Sequence, residues 1–184
     1  TRGLYKSVDS GQSWSTVNAG VLGPYVSTIV LDPVNSSRVY VGSVGAIYTS
    51  SDHGVAWDAQ VSGVDTHSVI TGVVVAGDKV LAGISGGPSR RYGILQSIDG
   101  GQTWQPAGLY QVTVLSVIRD PAVPETLYAA TVGDGLFKSE NGGKSWIEIN
   151  NGVGPDATCE TLAIDPQDSR VLYAGCRSYA APHG

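Results

Sequence analysis

The sequence predicts an all-β fold assembled from repeated four-stranded antiparallel units, and three observations predict it. An octet of the form Ser-x-Asp-x-Gly-x-x-Trp, with Asn for Asp in its last copy, recurs four times and contains every tryptophan. A second motif, an apolar run ending in Asp-Pro and followed by a Tyr-containing apolar run, alternates with the octet. Val, Thr, Tyr and Trp fall in short runs broken by Gly, Pro, Asn and Asp, with 25 glycines and no methionine in 184 residues. That composition favours short strands and turns over helices. Four strands in a period of about 40–45 residues is the arithmetic of a β-propeller blade, which buries its faces only against neighbouring blades.

The octets occupy residues 7–14, 50–57, 97–104 and 139–146, with their tryptophans 43, 47 and 42 residues apart. Their third positions are Asp9, Asp52, Asp99 and Asn141; their last are Trp14, Trp57, Trp104 and Trp146. The alternating motif spans 29–33 with 38–42, 117–121 with 127–129, and 162–166 with 172–175. In the second unit the strand-like runs are 26–31, 39–42, 46–50 and 56–61. Asp-Pro marks the first turn, because proline sets φ and the aspartate can accept local N–H groups. The octet marks the third turn. Its acid is placed to accept backbone N–H groups, its glycine can take positive φ, and its tryptophan is expected to be buried against its own hairpin and the neighbouring blade.

The chain then divides into a half blade at 3–17, blades at 26–61, 68–106 and 112–149, and a half blade at 159–176, all in one propeller domain spanning 1–184. The preferred reading is part of a larger propeller, since the chain lacks an initiator methionine and ends abruptly at Pro182-His183-Gly184. The alternative joins the two halves into a closed four-bladed ring, because the length is close to four periods.

Two cysteines, Cys159 and Cys176, flank the last hairpin. A symmetric hairpin centred between Gln167 and Asp168 places them opposite each other, within disulfide reach. The other reading is a pair of small buried thiols. A disulfide implies an oxidising, extracytoplasmic compartment: secreted, cell-surface or periplasmic.

The octet resembles the Asp box, or bacterial neuraminidase repeat, found in the propellers of sialidases, xyloglucanases, sortilins and photosystem II assembly factors. The Leu-x-x-Asp-Pro and Leu-Tyr-Ala-Gly segments at 162–166 and 172–175 look most like the xyloglucanase, sortilin and assembly-factor side. The resemblance covers nearly the whole chain. It implies the propeller fold and says less about function, because the repeat is architectural. It also implies that ligands sit at the end carrying each blade's second turn and the links between blades.

Sorting the acids by that rule leaves Asp65, Asp134, Asp156 and Glu160 at the ligand end. These are the candidate catalytic residues if the chain hydrolyses glycosides, which takes two carboxylates about 5–9.5 Å apart. The longest loop at that end, residues 85–93, offers Arg90, Arg91 and Tyr92 as a binding loop. The residues argue against a sialidase: the family's Phe-Arg-Ile-Pro segment is missing, the single phenylalanine being Phe137, and Arg38 and Arg170 fall at the opposite end. No metal-ligand spacing and no phosphate loop occurs, so no cofactor is expected. A net charge of −5 argues against nucleic acid as partner, and no apolar run is long enough to span a membrane. The expected partner is a protein or carbohydrate surface.

The regular repeats and the missing catalytic signature predict a non-catalytic extracytoplasmic module that binds protein or glycan. The alternative is an endo-acting glycoside hydrolase of xyloglucanase type. A second alternative is an assembly factor for a membrane complex.

Overall fold

The computed structural model describes residues 3–21, 25–61, 64–86, 93–154 and 156–178. Sixteen strands and no helix are found there. A first pair, β1 (Tyr5–Lys6) and β2 (Ser15–Thr16), forms a two-stranded sheet. Three four-stranded antiparallel meanders follow. The first holds β3 (Val26–Leu31), β4 (Val39–Ser43), β5 (Ile47–Ser50) and β6 (Asp58–Gln60). The second holds β7 (Ser68–Ala76), β8 (Lys79–Gly86), β9 (Ile94–Ser97) and β10 (Gln105–Gly108). The third holds β11 (Val114–Arg119), β12 (Leu127–Thr131), β13 (Leu136–Ser139) and β14 (Ile147–Glu148). A last pair, β15 (Thr158–Ile164) and β16 (Leu172–Arg177), closes the series. These are blades of a β-propeller. The two flanking pairs do not hydrogen-bond to each other, so the four-bladed ring is not formed.

Each blade packs its first strand on the first two strands of the blade before it: β7 on β3 and β4, β15 on β11 and β12. The second strands are therefore covered on both faces. Val39–Ser43 and Leu127–Thr131 are buried at every position, which is why they read as continuous apolar runs instead of alternating ones. Tyr40, Ile70, Leu95 and Trp104 fill one inter-blade core, and Leu81, Ile94, Val114 and Leu127 fill the next. Full burial of each such aliphatic side chain stabilises by about 1.5–3 kcal/mol.

The first strand of every blade bulges, with register shifts at 26/28, 70/72, 114/116 and 159/161. The extra residues are Ser27, Thr71, Leu115 and Glu160. A bulge bends the strand and re-aims its side chains. Here it turns two hydroxyls onto the next blade: Ser27 Oγ donates to the Ile70 carbonyl, and Thr71 Oγ1 donates to the Val114 carbonyl at 2.8 Å.

Cys159 pairs with Cys176 and the two form a disulfide. The ladder from Ile164 opposite Leu172 to Thr161 opposite Gly175 is centred on Asp168, half a residue past the symmetric centre. The bulge at Glu160 shifts the register back and brings the sulfurs together.

The tryptophans are not equally buried. Trp57 and Trp104 are 7% and 5% exposed and Trp146 is half-buried, but Trp14 is 64% exposed. Each indole packs on the blade preceding its own, as Trp57 does when its Nε1–H donates to the Val17 carbonyl at 2.8 Å. Among the described residues no blade precedes Trp14. The mirror case is Tyr173, 66% exposed, where its counterparts Tyr40 and Tyr128 are covered by the following blade. Tyr40 donates its hydroxyl to the Gly100 carbonyl of that blade at 3.1 Å.

Candidate functional site

The hydrogen bonds sort the turns onto two ends. At one end the third turn of each blade is tied to its first: His53 N–H donates to Ser37, Gly100 N–H to Asp78, and Gly142 N–H to Glu125, at 2.8–2.9 Å. This end is built around the octets. The first serine of each accepts an N–H from the glycine four residues on, at 2.8 Å in all four. The acid accepts further N–H groups. Asp52 takes those of Val55 and Ala56, and Asp99 those of Gln102 and Thr103, at 2.9–3.0 Å. Hydrogen bonds to the charged form hold these carboxyls below the ordinary range. The Ser13 hydroxyl and N–H lower Asp9 to about 2. The Ala56 N–H leads at Asp52, and the Thr103 hydroxyl at Asp99. Asn141 keeps the same geometry without charge, accepting the Ser145 N–H at 2.9 Å and donating Nδ2–H to Ser145 Oγ at 2.7 Å. Acids committed in this way hold turns and are not free for chemistry.

At the other end the second turn of each blade meets the link to the next. Gly45 N–H donates to Ser68, Gly93 N–H to Leu109, and Gly135 N–H to Ala157, at 2.8–3.0 Å. The last of these junctions opens into a cleft of about 320 Å3 whose lining includes Asp134, Glu148, Asn150 and Asp156. Asn150 braces it. Its Oδ1 accepts the Leu136 N–H at 2.7 Å and its Nδ2–H donates to the Asp134 carbonyl at 3.0 Å. Gly135 must be glycine for this clamp to close: its φ is +73°, and a Cβ there would stand 2.2 Å from Asn150 Oδ1. Gly133 N–H donates to Thr158 Oγ1 at 3.2 Å, tying the turn to the next blade. Asp156 adopts a left-handed φ of +53°, a conformation that aspartate tolerates better than most residues. The carboxylates of Asp134, Glu148 and Asp156 are all exposed to solvent.

Of the four candidate acids, Asp134 and Asp156 share this cleft, and Asp65 and Glu160 do not line it. Asp65 accepts the His67 N–H at 2.9 Å and stands 3.6 Å from His67 Nδ1, closing its own link turn. Glu160, the bulge residue, pairs with Arg177 at 3.2 Å. Glu148 was not singled out by sequence. No alternation marks it, because both residues of β14 are exposed. Arg90, Arg91 and Tyr92 lie outside the described residues. Arg38 and Arg170 sit at the octet end, paired with Asp78 at 3.1 Å and with Asp168 at 2.8 Å.

No family model matches the chain. A xyloglucanase of a Paenibacillus species is 31% identical over 201 residues, covering 100% of this chain and 19% of that protein. The chain thus spans about a fifth of the length of this curated relative. Among solved structures, an ancestral GH74 enzyme superposes with a TM-score of 0.75 at 24% identity, covering 94% of this chain and 24% of that one. The GH74 xyloglucanase from Xanthomonas campestris superposes with a TM-score of 0.68 at 20% identity, covering 94% and 32%. These likenesses establish the propeller fold. The expectation of a non-catalytic binding module is corrected by the whole-chain similarity to a xyloglucanase. Regular repeats misled that reading: they report how blades are built and not what the loops between them carry.

Proposed function

We propose that this chain is part of an endo-acting glycoside hydrolase of the xyloglucanase type, and that Asp134 and Asp156 act from opposite walls of the acidic cleft. The whole-chain similarity to a xyloglucanase carries this reading. The cleft supplies the chemistry, because it gathers carboxylates from two adjacent blades onto one opening. Glycosidic bond cleavage takes one carboxyl that protonates the leaving oxygen and a second that attacks the sugar or activates water. The second group stands about 5–5.5 Å from the first for attack, or about 6.5–9.5 Å when a water lies between them. The Asn150 clamp and the bond from Gly133 to Thr158 fix the Asp134 turn against the link that carries Asp156, so the two carboxyls keep their relation while a polymer threads past. Glu148 lines the same cleft and adds to its negative charge.

On this reading the octets are Asp boxes that hold the scaffold, and the disulfide fits an extracytoplasmic enzyme acting on a polymer that cannot enter cells. The glycan is bound at the link end. The test is release of reducing ends from xyloglucan by the protein that carries this chain and by its Asp134→Asn and Asp156→Asn variants. Loss of turnover in both variants with the fold retained supports the pair; full turnover in both overturns it.

A further inference from the structure

The chain contains two Asn-Gly dipeptides, Asn141-Gly142 in the last octet and Asn151-Gly152 in the turn beside the cleft. Glycine after asparagine leaves the following backbone nitrogen sterically open to the asparagine side chain, so both are chemically predisposed to deamidation. The structure treats them oppositely.

At Asn141 both side-chain atoms are held. Oδ1 accepts from Ser139 Oγ at 3.0 Å and from the Ser145 N–H at 2.9 Å, while Nδ2–H donates to Ser145 Oγ at 2.7 Å. The nitrogen that would attack, that of Gly142, donates to the Glu125 carbonyl at 2.8 Å. Gly142 is buried. At Asn151 none of these restraints is found among the described residues. The side chain is exposed, Gly152 is exposed with φ +84°, and a Cβ on Gly152 would meet nothing within 4 Å. Among the described residues the turn is closed by Val153 N–H donating to the Asn150 carbonyl at 2.9 Å. The first half blade repeats this turn as Asn18-Ala19-Gly20-Val21, with Val21 N–H donating to Asn18 at 3.0 Å and alanine in the place of Asn151. The turn therefore does not need an asparagine side chain at that position.

We propose that Asn151 is a site of spontaneous deamidation on the rim of the acidic cleft, and that Asn141 is protected by the octet. The Gly152 backbone nitrogen attacks Asn151 Cγ; a C–N bond forms, the Cγ–Nδ2 bond breaks, and nitrogen leaves as ammonia carrying the proton from Gly152. Water then opens the succinimide at either carbonyl, giving aspartate or isoaspartate. Each product places a new carboxylate next to Asn150, whose side chain lines the cleft with Asp134, Glu148 and Asp156. The negative charge of the cleft grows as the protein ages. This holds whether or not the cleft hydrolyses glycosides.

Trypsin separates the two sites into peptides 139–144 and 145–170. After incubation in mildly alkaline buffer, reduction and digestion, peptide 145–170 gains about one mass unit, eluting as aspartate and isoaspartate forms, while 139–144 stays unchanged. The difference in rate is at least about ten-fold, because reaction at Asn141 waits for local opening of the octet. In denaturant the protection disappears and both peptides gain mass. Asn151→Ala, the residue found in the first half blade, removes the gain from 145–170. Peptide 139–144 gaining mass as fast as 145–170 in the native chain, or 145–170 gaining none, or the gain surviving Asn151→Ala, overturns the proposal.

Discussion

Trp57 reaches out of its own blade and donates its indole N–H to the carbonyl of Val17, in the half blade before it. Trp104 and Trp146 donate theirs to Gly101 and Gly143 of their own octets but still pack against the preceding blade, so the energetic weight of an octet tryptophan depends on whether that blade is there to receive it. Trp104→Ala empties a site that is 5% exposed and should cost about 3–5 kcal/mol. Trp14→Ala, at a site 64% exposed, should stay within about 0.5 kcal/mol. Urea unfolding of the two variants checks the contrast. Equal losses would show that the indoles act within their own hairpins.

The disulfide closes the last hairpin across a sequence separation of 17, with Cys159 fully buried. On loop-closure entropy it contributes about 3 kcal/mol. Cys159→Ala with Cys176→Ala, or reductant on the parent chain, should lower the thermal midpoint. Hydrogen exchange should rise in β15 and β16 before it rises in β7 and β8, which are packed on both sides. Unchanged exchange in β15 would show that the bridge is decorative.

Acid should loosen the octets one kind at a time. The folded carboxyls of Asp9, Asp52 and Asp99 titrate below their ordinary 3.8, Asp9 at about 2. A depressed folded value means that these groups stabilise fully above the unfolded pKa, and that the contribution is lost as pH falls from 3.8 through the folded values. Thermal midpoints should accordingly drop between pH 4 and about 2. Asp99→Asn should flatten part of that drop, because its amide, like that of Asn141, does not titrate. An Asp99→Asn variant with the parent's full acid sensitivity would contradict this account.

Octet spacing made the fold class legible, because a fixed period with a turn signal and a packing tryptophan admits few architectures. The cysteine pairing was legible too, though for an incomplete reason. The symmetric hairpin missed both the turn centred on Asp168 and the bulge at Glu160, and the two errors cancel. A bulge leaves no mark in the period-two pattern until the partner strand is known. The unequal burial of Trp14 and Trp57 could not be read from identical octets, since it depends on the neighbouring blade and not on local sequence. The acidic cleft stayed hidden for the same reason. Asp134 lies on a turn and Asp156 on a link, and only the bonds from Gly135 to Ala157 and from Gly133 to Thr158 bring those segments together.

Cleavage of xyloglucan by the protein that carries this chain, set beside its Asp134→Asn and Asp156→Asn variants, tests the central claim most directly. General acid or base groups contribute about 100-fold or more to such reactions, so each variant should lose at least that much turnover while keeping its thermal midpoint. Asp65→Asn and Glu160→Gln should retain most of it, because neither residue lines the cleft. A protein carrying this chain that leaves xyloglucan intact, or Asp134 and Asp156 variants of it that cut xyloglucan at the parent's rate, would contradict the account.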